Sequence, residues 1–136
     1  MTDDNALSNA QAEWVKAHAA RRAAKALADL GLFDDASSRL YYAAFHLVSA
    51  ALLTHGVQAQ SHGGLATLLG QHLVRPGLLP AQVAREFAAL MGLRGQADYN
   101  RHFVMDGEGF AAVTKNADAL FAPLEAYLVG RGLKIA

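Results

Sequence analysis

The 136-residue chain has no cysteine. This excludes disulfides, cysteine-ligated zinc or iron–sulfur clusters and any thiol nucleophile, and it suits a reducing cytoplasm. No run of about 18 apolar residues is present to span a bilayer, and the acidic start "MTDDNALSNAQ" is unlike a secretory signal. A cytoplasmic protein is expected, with no membrane association. Charge of one sign is lacking too, because 12 Lys and Arg balance 12 Asp and Glu. A general nucleic-acid binder would carry a positive excess, so only a local basic patch could serve that purpose. The six histidines form no HExxH pair or other dense ligand motif, and there is no GxSxG elbow, P-loop or GxGxxG fingerprint. No metal or cofactor is expected.

β-Branched residues are scarce, Ala and Leu dominate, and the apolar positions recur every three or four residues. These features predict an all-α fold, with residues 1–136 forming one domain. Helices are expected over about 8–30, 35–55, 62–74, 80–99 and 108–130. Gly31 and Gly56 would close the first two, and Asp34 or Asp35 would cap the second. The "RPGLLP" segment breaks the chain before the fourth helix, with Pro80 suited to its first turn. Phe110, Val113, Ala117, Leu120, Leu124 and Tyr127 make one apolar stripe in the last helix, which Pro123 should kink or interrupt. The architecture is an antiparallel four-helix bundle plus one short helix.

Two departures from simple amphipathic patterning mark candidate functional residues. The second helix, around "SSRLYYAAFHLVSAALL", is apolar on most sides but carries Arg39, Tyr42, His46 and Ser49 in one narrow row. In the fourth, the core row Val83, Phe87, Leu90 and Met91 continues into Arg94 and Asp98, with Gly92 and Gly95 leaving backbone room alongside. Arg94 and Asp98 could be a local i,i+4 salt bridge, but a guanidinium heading into a bundle more often has a purpose. His18, Arg21, Arg22 and Lys25 share a face of the first helix; they make either a solvated surface or a basic patch. "HGGL" at 62–65 is a helix-start turn, since the oxyanion-loop alternative lacks an elbow serine.

The runs "FDDASSRLYYAAFHLVSAALL", "SHGG" and "LRGQADY" together resemble the HEPN superfamily (higher eukaryotes and prokaryotes nucleotide-binding), within it the small stand-alone prokaryotic proteins with an "R-x-x-A-D-Y" run. Order and spacing agree from about residue 30 to 100. The resemblance implies a helical bundle, usually a homodimer, encoded beside a minimal nucleotidyltransferase antitoxin in toxin–antitoxin or defence modules. Many members are metal-independent ribonucleases in which an arginine and a histidine four to six residues later, from both protomers, form a composite site. Arg94 occupies the arginine position. The residue five later is Tyr99, and the next histidine, His102, lies beyond seven intervening residues.

His46 is therefore expected to supply the imidazole from the second helix. Its polar row would face the fourth helix and the partner protomer, making a cavity of Arg39, Tyr42, His46, Arg94 and Asp98. The catalytic candidates are Arg94, His46, Asp98 and His102; the binding candidates are Arg39, Tyr42 and Tyr99. An imidazole beside Arg94 should titrate below its ordinary value. The apolar surplus on the second helix points to a homodimer. Tyr99 should be exposed, and the resemblance implies that a tyrosine there can accept a nucleotidyl group. Three readings follow: a toxin-like protein acting on RNA, a non-catalytic nucleotide- or nucleic-acid-binding partner of the transferase, and a purely structural dimer.

Overall fold

The computed structural model describes residues 3–134. It is all-helical, with no strand among the described residues: α1 (Asp3–Asp29), α2 (Phe33–Leu53), α3 (His62–Leu69), α4 (Ala81–Tyr99) and α5 (Gly107–Gly130). A π-helical turn, Gly70–Val74, follows α3 directly. No helix is long and apolar enough to cross a membrane.

Helix α1 begins earlier than the sequence periodicity indicated, because Ala6 and Ala10 extend its buried row by a further turn. At its other end Gly31, at φ +78°, takes the left-handed conformation that lets the Leu32 N–H reach back to the Leu27 carbonyl at 2.9 Å. Gly56, at φ +71°, ends α2 in the same way, with Val57 N–H on the Leu52 carbonyl. The expected carboxylate cap of α2 is absent, since Leu32 holds the N-cap position with no side-chain bond. Asp34 instead accepts the Met105 N–H at 2.7 Å, fastening the α4–α5 connection to the start of α2. Pro80 sits one residue before α4 rather than in its first turn.

The long helices alternate in direction. Asp98 near the end of α4 approaches Ser38 near the start of α2. His55, just past α2, meets Tyr127 late in α5, and Arg131 donates to the Thr54 carbonyl. Hence α2 runs antiparallel to α1 and α4 and parallel to α5. Helix α2 packs against all of the others, and 13 of its 21 residues are buried. The surplus apolar face expected on α2 is thus covered by its own chain. Among the exposed large apolar side chains, the most exposed gather at one end of the bundle, Leu30 (73%), Tyr99 (78%) and Val104 (82%) with Leu32 (48%), while Leu7, Val15, Leu78 and Val129 are scattered elsewhere.

Helix α5 buries Ala117, Leu120, Phe121, Leu124 and Leu128, with Phe110, Val113 and Tyr127 packed beside them. It runs through Pro123 without the expected interruption. A proline there removes one backbone donor, but buried side chains on both sides of it hold the helix to the core. Leu120→Ala should lower the unfolding free energy by about 2–5 kcal/mol, from lost burial plus the cavity left behind. A urea titration reads this as a fall in midpoint at unchanged slope.

Candidate functional site

Where α4 crosses the N-terminal half of α2, an arginine enters the bundle with few partners. The Arg94 side chain is 16% exposed and its Nη1 lies 3.8 Å from Asp98 Oδ2, a loose i,i+4 pair. Its Nε is buried with no hydrogen-bond partner among the described residues. The guanidinium carbon stands 5.3 Å from the Tyr41 ring centre and 5.8 Å from that of Tyr99. Asp98 also accepts from the Ser38 hydroxyl at 3.4 Å. Gly92 and Gly95 face open space, leaving bare backbone beside the arginine.

Tyr41 connects this charge to an imidazole. It is fully buried, stacked on Phe87 with ring centres 5.7 Å apart, and its hydroxyl lies 2.6 Å from His62 Nδ1. Burial pushes the phenol pKa up to about 12, against the opposing pull of Arg94, so the hydroxyl stays protonated at neutral pH. His62 is the first residue of α3, and Ser61 caps that helix by accepting the Gly64 N–H at 2.9 Å. "HGGL" is therefore a helix start, as the sequence indicates. Burial first, then the Arg94 charge, lower the His62 pKa below its ordinary value. The imidazole is neutral at pH 7 and available as a hydrogen-bond donor or proton acceptor, depending on which way the Tyr41 hydroxyl points.

The imidazole beside Arg94 is accordingly His62, and the expectation that His46 fills this place is corrected. His46 Nδ1 lies 2.6 Å from Glu13 Oε2, on α1. The row Arg39, Tyr42, His46 faces α1, where Lys16, Ala19, Ala20 and Ala23 complete a shallow cavity. Arg39 lies over the Tyr42 ring at 4.7 Å. The face of α2 that meets α4 is the neighbouring row, with Ser38 and Tyr41. His102 is exposed in the turn after α4, its N–H on Asn100 Oδ1, with no contact to Arg94. The structure thus brings Arg94, Asp98 and Tyr99 together, sets Tyr42 at the margin with its ring 5.3 Å from that of Tyr41 and 6.2 Å from that of His62, and leaves Arg39, His46 and His102 elsewhere. Tyr99 is exposed, as expected.

The α1 patch is mostly occupied. Arg21 pairs with Glu125 at 2.5 Å and lies over Phe121, Lys25 approaches Asp29 at 3.7 Å, and His18 packs on Trp14 with ring centres 4.7 Å apart. Among the described residues no group of three or more His, Asp or Glu is placed to hold a metal ion.

A family model described as "HEPN domain" matches residues 10–126 of the chain. The protein belongs to the HEPN-domain family. A UPF0332 protein of Gloeobacter violaceus is 40% identical over 84 residues, which make up 62% of this chain and 67% of that protein. A protein of Methanocaldococcus jannaschii named "putative toxin" is 36% identical over 77 residues, 57% of this chain and 58% of its own. A second protein of that organism with the same designation is 22% identical over 118 residues, 87% of this chain and 80% of its own. The matched family region contains all of the Arg94 cluster, so the buried arginine of α4 and the α3 histidine both lie within the HEPN domain.

His18, His55 and His62 all have lowered pKa values, in each case chiefly from burial. In the window below the unfolded-state value of about 6.5, the unfolded chain binds more protons than the folded one, so stability must decline as pH falls. The urea midpoint should drop on acidification from pH 7 to 5. His62→Asn should reduce that drop, and an unchanged pH profile in this variant would show that His62 does not contribute.

Proposed function

We propose that this HEPN protein is a toxin-like component that acts on RNA, cleaving it without a metal through Arg94 and His62. The observation that carries the reading is the Arg94 guanidinium, largely buried and only loosely paired, joined through Tyr41 to an imidazole that is neutral at pH 7. A phosphodiester supplies what such a cation lacks: two anionic oxygens in the geometry that arginine binds best. When the Tyr41 hydroxyl accepts the Nδ1 proton of His62, Nε2 carries the free lone pair. It can then take the proton of an RNA 2′-hydroxyl as that oxygen attacks the adjacent phosphorus. Arg94 would stabilise the negative charge of the phosphorane, and the 5′-oxygen would leave with a proton. The toxin designation of two relatives supports the assignment.

The same reading includes a homodimer and a nucleotidyltransferase antitoxin as partner. Leu30, Leu32 and Val104 support the dimer: the Asp34–Met105 and Ser38–Asp98 bonds hold their segments at one end of the bundle, beside the Arg94 cluster. Light scattering at micromolar concentration should give about twice the 14.4 kDa chain mass. A monomeric mass would remove this part of the proposal. The exposed Tyr99 hydroxyl is open to a modifying partner, and its modification by the transferase would be read by mass spectrometry of the co-expressed pair.

A non-catalytic nucleotide-binding role is the second reading, favoured by the engagement of His62 Nδ1 with Tyr41. RNA degradation by the purified protein in EDTA separates the two. Under the nuclease reading, Arg94→Ala should reduce cleavage by about 10²–10³-fold and His62→Ala by about 10²–10⁴-fold with binding retained, whereas His46→Ala should stay within a few-fold of wild type. RNA bound in an Arg94-dependent way but never cut would favour the binding role.

A further inference from the structure

His62 has a second neighbourhood. It forms part of the wall of an open cavity of about 250 Å³ lined by Glu13 of α1, the C-terminal half of α2, the α2–α3 connection and Leu65 of α3. The floor is apolar, from Leu52, Leu53, Val57 and Leu65, and the Phe45 ring stands 4.8 Å from that of His62. Polar groups sit around this floor without intramolecular use. Ser49, Gln58 and Gln60 line the cavity, and their side chains make no hydrogen bond among the described residues. Glu13 lines it too, held by its Oε2 contact to His46, while Oε1 is not engaged.

We propose that this cavity is a nucleobase subsite, the place where a base enters when its phosphate is held at Arg94. This deepens the reading above and rests on it for the phosphate. The volume is below the ~300–1,000 Å³ of pockets for drug-sized ligands, which suits one flat ring system rather than a whole nucleotide. An apolar floor with an aromatic wall and a few polar groups free to pair is what an unstacked RNA base requires: faces to pack on and partners for its edge. Glutamine amides both donate and accept, but the Glu13 carboxylate only accepts. The cavity therefore favours bases with an exocyclic amino group (adenine, cytosine, guanine) over uracil, whose single edge donor, N3–H, is flanked by two carbonyl oxygens that would be repelled by the carboxylate. His62 lines the cavity and bonds Tyr41, whose ring lies 5.3 Å from the Arg94 guanidinium carbon, so the two parts of the site share these residues. The polar end of the α2 stripe, Ser49 with the His46–Glu13 pair behind it, thereby gains a ligand-facing role distinct from the Arg94 cluster.

Calorimetric titration of the purified protein with AMP, CMP, GMP and UMP tests the subsite directly, and cleavage of oligoribonucleotides differing at one junction tests it on RNA. The wild type should bind the three amino-bearing nucleotides at least tenfold more tightly than UMP. Glu13→Gln, which replaces the acceptor-only carboxylate by an amide of the same shape, should bring that ratio towards one. Glu13 is partly exposed and an amide oxygen can still meet His46, so the fold is spared; Ser49→Leu, which fills the cavity, is the second variant. On RNA the same variants should flatten junction preference without abolishing cleavage. Equal binding of all four nucleotides, no binding of any, or a preference unaltered in both variants would overturn the subsite. Absence of all RNA cleavage by wild type, with the nucleotide preference present and lost in the variants, would instead retain the subsite and overturn the nuclease reading. A preference seen with mononucleotides but not on RNA junctions would assign the cavity to a free nucleotide.

Discussion

Helix α2 is largely enclosed by the rest of the chain, and three of its polar side chains are matched by groups from other helices. Water cannot do that work where 13 of 21 residues are buried. The matches arise from three directions. Ser38 meets Asp98 of α4, Tyr41 meets His62 of α3, and His46 meets Glu13 of α1. Each bond fixes the rotation of α2 against one neighbour, and together they set which of its rows faces which helix. The candidate site is a consequence of this constraint: the tyrosine that needs a partner inside the bundle is also the one that links an arginine to a histidine.

Arg94 is the group for which the matching is incomplete. Its carboxylate partner lies at 3.8 Å and is shared with Ser38, and its Nε has no partner. A buried guanidinium is ordinarily well paired. Beyond the loose Asp98 pair, the adjoining groups are the rings of Tyr41 and Tyr99 and a lowered-pKa imidazole, none of which neutralises its charge. The same positive charge lowers His62 and opposes the upward shift of Tyr41. A site poised in this way attracts an anion and keeps its imidazole deprotonated at neutral pH, which is the protonation state a general base requires.

Much of the fold was legible in the residues. Alanine and leucine at helical spacing, with Gly31 and Gly56 at the left-handed positions, indicated five helices and most of their ends, because local backbone preference decides those features. The Arg94–Asp98 pair was legible for the same reason, being an i,i+4 relation within one helix. Where the reading failed, a long-range partner decided the outcome. Asp34 serves the α4–α5 connection rather than its own helix end, and α5 passes Pro123 because buried neighbours hold it.

The family runs and the arginine were present in the sequence, and with them the HEPN fold. Which histidine stands beside Arg94 was not. On a helix apolar nearly all round, periodicity identifies rows but does not tell which row meets which neighbour; Tyr41 and Tyr42 are adjacent, 100° apart, and equally able to face α4. Tertiary packing chose Tyr41, and with it His62, 21 residues further on. His46 was turned to α1 by the same rotation. The physical reason is that helix formation depends on neighbours within four residues, whereas the azimuth of a buried helix is set by the summed packing of all the helices around it.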